Sequence, residues 1–264
     1  IVAQTREGQD MDEIDLSFDG PLAVITLNRP RRKNALTEAN WRALHQAAQR
    51  VAQSPARALL VRGAGGDFCA GFDISEIEPD KADALTLIDD AVNPALRALR
   101  DVPQPTIAAA EGACVGGGFG IAAACDITIA SDTAKFSAPY VNIGIMADAG
   151  LHVFLRDSLG YQRAAHLIFT GSMLGARDAL AAGICAEVLS QDGFDAAAIA
   201  YASRIARGPT QAFLRSKTIL RTAEDGDSAL AMEARLQAEV FRTQDAREGI
   251  GAFLAGRKPR FTGS

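Results

Sequence analysis

Three consecutive glycines, Gly116, Gly117 and Gly118, constrain this chain more than any other feature. They sit in Glu111–Tyr140, EGACVGGGFGIAAACDITIASDTAKFSAPY, after the apolar run Thr106–Ala110 and before the Ala-rich segment Phe119–Cys125. A strand, a glycine turn and a small-residue helix bring backbone N–H groups at a helix start to bear on a ligand oxygen. The same cluster could serve only as a turn or as tight helix packing, because glycine permits both. A second stretch, Gly63–Ile74 or GAGGDFCAGFDI, follows the strand candidate Ala58–Val61 in the same manner. Two such strand-end turns can each direct one N–H at a single oxygen, which is how an oxyanion hole is built.

The intervening segments read as an α/β chain. Ile14, Leu16 and Phe18 alternate with acidic or polar residues, Asp19-Gly20 turns the chain, and Leu22–Leu27 returns, which predicts a β-hairpin. Thr37 caps a helix to about Ala52 with Trp41, Leu44, Ala48 and Val51 on one face. Ala84–Leu99 carries a helical stripe that Pro94 kinks or restarts, and Ile127–Ala130 is a further strand. Repeated strand-turn-helix units predict a mainly parallel sheet with covering helices. From Ala149 onward helical periodicity dominates, with stops at Gly160, Gly171 and Gly208-Pro209. The division expected is a disordered tail at 1–10, a core at 11–148 and a helical segment at 149–264.

Composition narrows the class. With 264 residues, 48% hydrophobic and 22% charged, the chain can bury a sizeable core. A net charge of −5 leaves no nucleic-acid footprint. Cys69, Cys114, Cys125 and Cys185 lack metal-ligand spacing and lie among apolar or glycine residues, so buried free thiols in a reducing compartment are expected. No run of about 18 apolar residues occurs. A cytoplasmic protein without a membrane or nucleic-acid partner is the expectation.

FCAGFDI, VGGGFGIAAACDITIA and AVITLNRPRRKNAL resemble the enoyl-CoA hydratase/isomerase family, the crotonase superfamily, from Leu22 to the C-terminal GAFLAGRKPRF. The resemblance implies a spiral of β-β-α turns followed by a C-terminal helical subdomain that builds homotrimers or homohexamers. It implies an acyl-CoA thioester as substrate, with coenzyme A arriving as part of it and no metal or redox cofactor. The thioester oxygen would be held by the backbone amides of Phe72 and Gly117. Coenzyme A would meet Arg32 and Lys33 of the basic loop, Ala70, Asp73 and Ile74 of the first motif, Gly116 of the second, and Phe253 and Lys258 of the same or a neighbouring chain.

Two departures from the family pattern bear on the chemistry. Enoyl-CoA hydratases hold water between two glutamates, and the matching positions here read Gly120 and Tyr140. Water addition needs a base for water and an acid for the α-carbon. Glycine offers neither, and an ordinary tyrosine, with a pKa near 10, is a poor base. Asp148, in NIGIMADAG, is the replacement, its neighbours being apolar or small. If buried it would have a raised pKa suited to proton transfer. It could equally cap the helix starting near Ala149. By resemblance its position matches the aspartate of dienoyl-CoA and epoxyphenylacetyl-CoA isomerases and the nucleophile of chlorobenzoyl-CoA dehalogenase.

An isomerase that moves a double bond through Asp148 is therefore expected, with Tyr140 in the site. A hydratase with non-standard residues remains open. So does a dehalogenase-like hydrolase, for which Asn93 stands where a histidine belongs and His152, a turn beyond Asp148, is the substitute; His45 reads as a surface residue and His166 as a core one. A decarboxylase using Tyr140, and a weakly catalytic acyl-CoA-binding protein, complete the alternatives.

Overall fold

The hairpin follows from the alternation of its first strand. β1 (Ile14–Asp19) and β2 (Leu22–Leu27) pair antiparallel, with Asp19 opposite Leu22 and Ile14 opposite Leu27. The computed structural model describes residues 13–78, 80 and 83–264; the tail expected at 1–10 lies outside them. All six residues of β2 are buried, which marks a strand covered on both faces. After it come α1 (Glu38–Ala52), β3 (Ala58–Gly63), α2 (Ala84–Leu87), α3 (Asn93–Asp101), β4 (Thr106–Ala110), β5 (Ala113–Val115), α4 (Gly117–Ala124), β6 (Ile127–Ser131) and β7 (Lys135–Ser137). The C-terminal half contains α5 (Leu151–Leu159), α6 (Tyr161–Thr170), β8 (Met173–Gly175), α7 (Ala176–Ala181), β9 (Glu187–Leu189), α8 (Phe194–Ala206), α9 (Thr210–Thr222), α10 (Gly226–Val240) and α11 (Gln244–Leu254).

One sheet runs β1-β2-β3-β4-β6-β9, parallel beyond the hairpin. A second, β5-β7-β8, runs beside it. The chain therefore winds: β4 in the large sheet, β5 in the small one, then α4, then β6 and β7. The preceding turn follows the same path with its second strand reduced to one residue, Cys69, bridged to Cys114. This is the β-β-α spiral expected from the sequence motifs.

Period-two alternation divides the core. Ala23, Ile25, Leu27, Leu59, Val61, Ala108 and Ala110 pack with Trp41, Leu44 and Leu99. Leu22, Val24, Leu60, Ile107, Ala109 and Ile129 face the other way, onto Phe194, Ala198, Ala202 and Ala206 of α8. That helix offers small residues at every fourth position, so it approaches the sheet closely. All four cysteines are buried and free.

One expectation needs correction. The sheet does not end at 148, since β9 adds its last strand and β8 completes the small sheet. Three-residue strands are too short to show a period. The helical stripe over Ala84–Leu99 restarts at Pro94 as expected: α2 and a π turn at Ile88–Val92 lead into α3, with Pro94 in its first turn. Pro94 has no N–H to continue the ladder, and the Asp90 carbonyl accepts from Arg42 Nη1 instead, at 3.0 Å. Helix α5 spans Leu151–Leu159, with Gly150 as its N-cap. No helix among the described residues is long and apolar enough to cross a membrane.

Candidate active site

The basic loop and the first glycine motif are tied together by buried polar side chains. Asn34, fully buried, donates from Nδ2 to the carbonyls of Ala64 (2.9 Å) and Asp67 (2.6 Å) and accepts from the Arg29 amide (2.8 Å). Arg29 reaches the Ala35 carbonyl and, at 3.1 Å, Asp73 Oδ2. The backbone adds Ala70 N–H to the Lys33 carbonyl, Leu36 N–H to Gly71, and Asp73 N–H to Leu36. Gly71 N–H points to Cys69 Sγ at 3.3 Å. The amides on either side of Phe72 are thus occupied, while that of Phe72 meets no protein acceptor among the described residues. An unpaired amide at such a turn is the kind of group that can donate to a ligand oxygen.

The second donor comes from α4. Gly116 is its N-cap, at φ +55, and donates to the Ser137 carbonyl. Gly117 opens the helix, and its N–H has no protein acceptor among the described residues, as first-turn amides generally do not. The two loops touch backbone to backbone. A Cβ on Gly71, which sits at φ +94, would lie 2.9 Å from the Gly117 nitrogen. A Cβ on Gly118 would lie 2.2 Å from the Cys69 carbonyl oxygen. Gly118 thus serves close packing, while the Gly117 N–H is left without a protein acceptor among the described residues.

Asp148 faces the same space. The 3-10 turn Pro139–Ile143 follows β7 and carries Tyr140, whose Oη donates to Asp148 Oδ1 at 2.5 Å. Burial raises the Asp148 pKa; the Tyr140 hydrogen bond and the charge of His152 oppose the rise without cancelling it. Burial, and then the Asp148 charge, push the Tyr140 hydroxyl far above its usual range, so it stays a neutral donor. The capping role considered for Asp148 is not its role. Gly150, at φ +76, is the N-cap of α5, and no side chain caps it. Ala149 (φ +54) and Gly150 turn the chain so that the Asp148 carboxylate meets Tyr140 instead. His152 is exposed and does not line the cavity.

These groups line one cavity of about 530 Å³. It brings together Arg32, Ala70, Phe72, Asp73, Ile74, Gly116, Gly117, Tyr140 and Asp148. Lys33, Phe253 and Lys258 do not line it in this chain; Lys258 borders a separate surface hollow, and Phe253 is 85% exposed. Asp73 lines the cavity but is not free to bind. Ser75 Oγ (2.7 Å), then Arg29, hold its carboxyl below the ordinary range, so it braces the loop. Residues not anticipated from the sequence form the apolar walls: Ile77, Leu87, Ile88 and Val92 around the π turn, and Ile143 and Ile145 opposite. Trp41, read from its spacing as core, is fully buried and also lines the cavity, with Nε1 unpartnered among the described residues. No local pattern distinguishes a wall residue of this kind from a core one.

Comparison with known proteins shows the family. A sequence profile described as enoyl-CoA hydratase/isomerase matches residues 17–264. A probable enoyl-CoA hydratase of Rhodobacter capsulatus is 36% identical over 244 residues, covering 92% of this chain and 95% of that one. The 1,2-epoxyphenylacetyl-CoA isomerase of Escherichia coli is 33% identical over 247 residues, covering 91% and 94%. The crystal structure of a Mycobacterium abscessus protein, provisionally described as an enoyl-CoA hydratase/isomerase, superposes with a TM-score of 0.90 at 33% identity, covering 95% of this chain and 100% of that one. With the family profile matched over residues 17–264 and the fold shared, the chain belongs to the enoyl-CoA hydratase/isomerase family, within the crotonase superfamily.

Proposed function

We propose that this enzyme is an acyl-CoA isomerase that moves a carbon–carbon double bond by proton transfer through Asp148. The observation that carries the proposal concerns carboxylates. Among the described residues two line the cavity, Asp73 and Asp148. Arg29 and Ser75 occupy the first. Asp148 uses Oδ1 toward Tyr140, and Oδ2 has no protein partner among the described residues. Among the described residues this leaves Asp148 as the carboxylate that the proposal assigns to proton exchange with an acyl chain.

In the proposed reaction the thioester oxygen accepts hydrogen bonds from the Phe72 and Gly117 amides. Asp148 Oδ2 takes a proton from the α- or γ-carbon, and negative charge collects on the thioester oxygen as an enolate. Each preorganised amide is worth about 3–4 kcal/mol to such a charge in comparable sites. The same carboxyl returns the proton to the other carbon, so the double bond moves and nothing is added or lost. Tyr140 does not touch the reacting atoms in this scheme; it positions Asp148 and keeps one oxygen occupied. This also weakens the decarboxylase alternative, in which the Tyr140 hydroxyl would be free for substrate.

Hydrolytic dehalogenation is less well supported, because no base for water other than Asp148 lines the cavity among the described residues. His152 is exposed, and Asn93 Nδ2 is engaged by Asp89 at 3.0 Å. The walls at Trp41, Ile77, Leu87, Ile88 and Val92 favour an uncharged acyl group, since a carboxylate there would lose hydration without a partner. The purified protein, assayed with 2- and 3-enoyl-CoA thioesters in deuterated water, should isomerise them and incorporate deuterium at the α- or γ-carbon. It should hydrate crotonyl-CoA poorly. Efficient hydration without isomerisation would overturn the proposal.

A further inference from the structure

Gly120 lies inside α4, where glycine is a poor helix former and needs a packing reason. Its amide continues the helix, donating to the Gly116 carbonyl at 3.1 Å. The space its side chain would fill is taken. A Cβ on Gly120 would lie 2.3 Å from Ala149 Cβ and 2.8 Å from the Ala149 carbonyl oxygen. Ala149 is 7% exposed and held at φ +54, in the left-handed region that residues with a Cβ rarely enter. It directly follows Asp148. The segment carrying Asp148 is therefore seated on the bare backbone of α4.

We propose that Gly120 is a positioning residue for Asp148: the missing side chain admits Ala149, and that seat sets the Asp148 carboxylate beside Tyr140 in the cavity. A glutamate at position 120 would begin with the same Cβ and meet the same contact. In this chain a Cβ at 120 and Ala149 in its present place are thus mutually exclusive. Here the glycine belongs to the proton-transfer geometry rather than being the remnant of a lost hydratase. The inference rests on the isomerase reading for its activity readout alone.

Gly120→Ala in the full-length protein tests it. An ordinary contact begins near 3.4 Å, so Ala149 must retreat by about 1 Å, a displacement that can cost on the order of 100-fold in rate. Turnover in the isomerisation assay should fall by about that factor with KM nearly constant. The Asp148 titration, followed by carboxyl-carbon NMR, should move toward the ordinary aspartate range as the side chain loses burial. Adding Ala149→Gly removes the 2.3 Å contact, leaves the one at 2.8 Å, and permits the left-handed backbone. The double variant should regain at least about tenfold in turnover and the wild-type titration. Turnover and titration of Gly120→Ala within twofold of wild type would overturn the proposal, as would a double variant that recovers neither. Should Gly120→Ala not fold, the double variant carries the test. It must fold with Asp148 titrating as in wild type, and failure there overturns the proposal. If Asp148→Asn exchanges protons at the wild-type rate while Gly120→Ala still shifts the Asp148 titration reversibly, the isomerase reading falls and the positioning role stands.

Discussion

Asp148→Asn separates a proton carrier from a structural carboxylate in one substitution. The amide keeps the side-chain shape, and its oxygen can still accept the Tyr140 hydrogen bond that is 2.5 Å long in the wild type. Helix α5 loses nothing, because Gly150 and not Asp148 is its N-cap. An amide does not titrate in the working range, so turnover should fall by about 10²–10⁴-fold, the usual share of general acid–base catalysis. The wild-type rate should rise with pH as Asp148 ionises, over a range above the ordinary aspartate pKa, because burial raises it; the variant should lose this limb. Stability should move in the opposite sense to activity. With a folded-state pKa above the unfolded one, the native protein binds more protons between the two, so its stability falls as pH rises through that window. Below the unfolded pKa, variant and wild type should melt alike; at neutral pH the variant should melt at the same temperature or higher. The deciding assay is exchange of α- or γ-protons of a bound acyl-CoA into deuterated water. Exchange at the wild-type rate in Asp148→Asn would refute the reasoning.

Two further outcomes are expected. Arg32 lines the cavity and Lys33 does not, so Arg32→Ala should weaken coenzyme A binding more than Lys33→Ala, with the larger loss at low salt where charges are less screened; unchanged affinity in both variants, measured by calorimetry, would remove the basic loop from the site. The C-terminal helices expose Leu220, Leu230, Phe241, Phe253 and Leu254, all at least 59% accessible, which is a large apolar surface for an isolated chain. We expect an oligomer with threefold symmetry, a trimer or a hexamer, and a monomer in light scattering at micromolar concentration would contradict this.

Local chemistry was legible in the sequence wherever a signal is complete within a few residues. The Asp19-Gly20 turn between alternating strands, the Thr37 cap of α1 and the glycine stops after α5 and α6 each depend on neighbours along the chain, and each stands in the structure. The two glycine motifs pointed to paired backbone donors for the same reason. What the tertiary structure decided involves partners far apart in sequence. β9 pairs with β6 through three residues, too few for a period to register. Asp73, in the cavity wall, is held by Arg29, 44 positions earlier. Asp148 could have been a cap or an acid; Tyr140 and the left-handed step at Ala149 settle where its carboxylate lies. Ala149 rests against Gly120, 29 positions away, and neither residue carries a polar atom in its side chain or a periodicity that would reveal the contact. A turn or a cap is an energy between neighbours in the chain, whereas the environment that sets a carboxylate's pKa or fills a glycine's empty face is assembled only when distant segments pack.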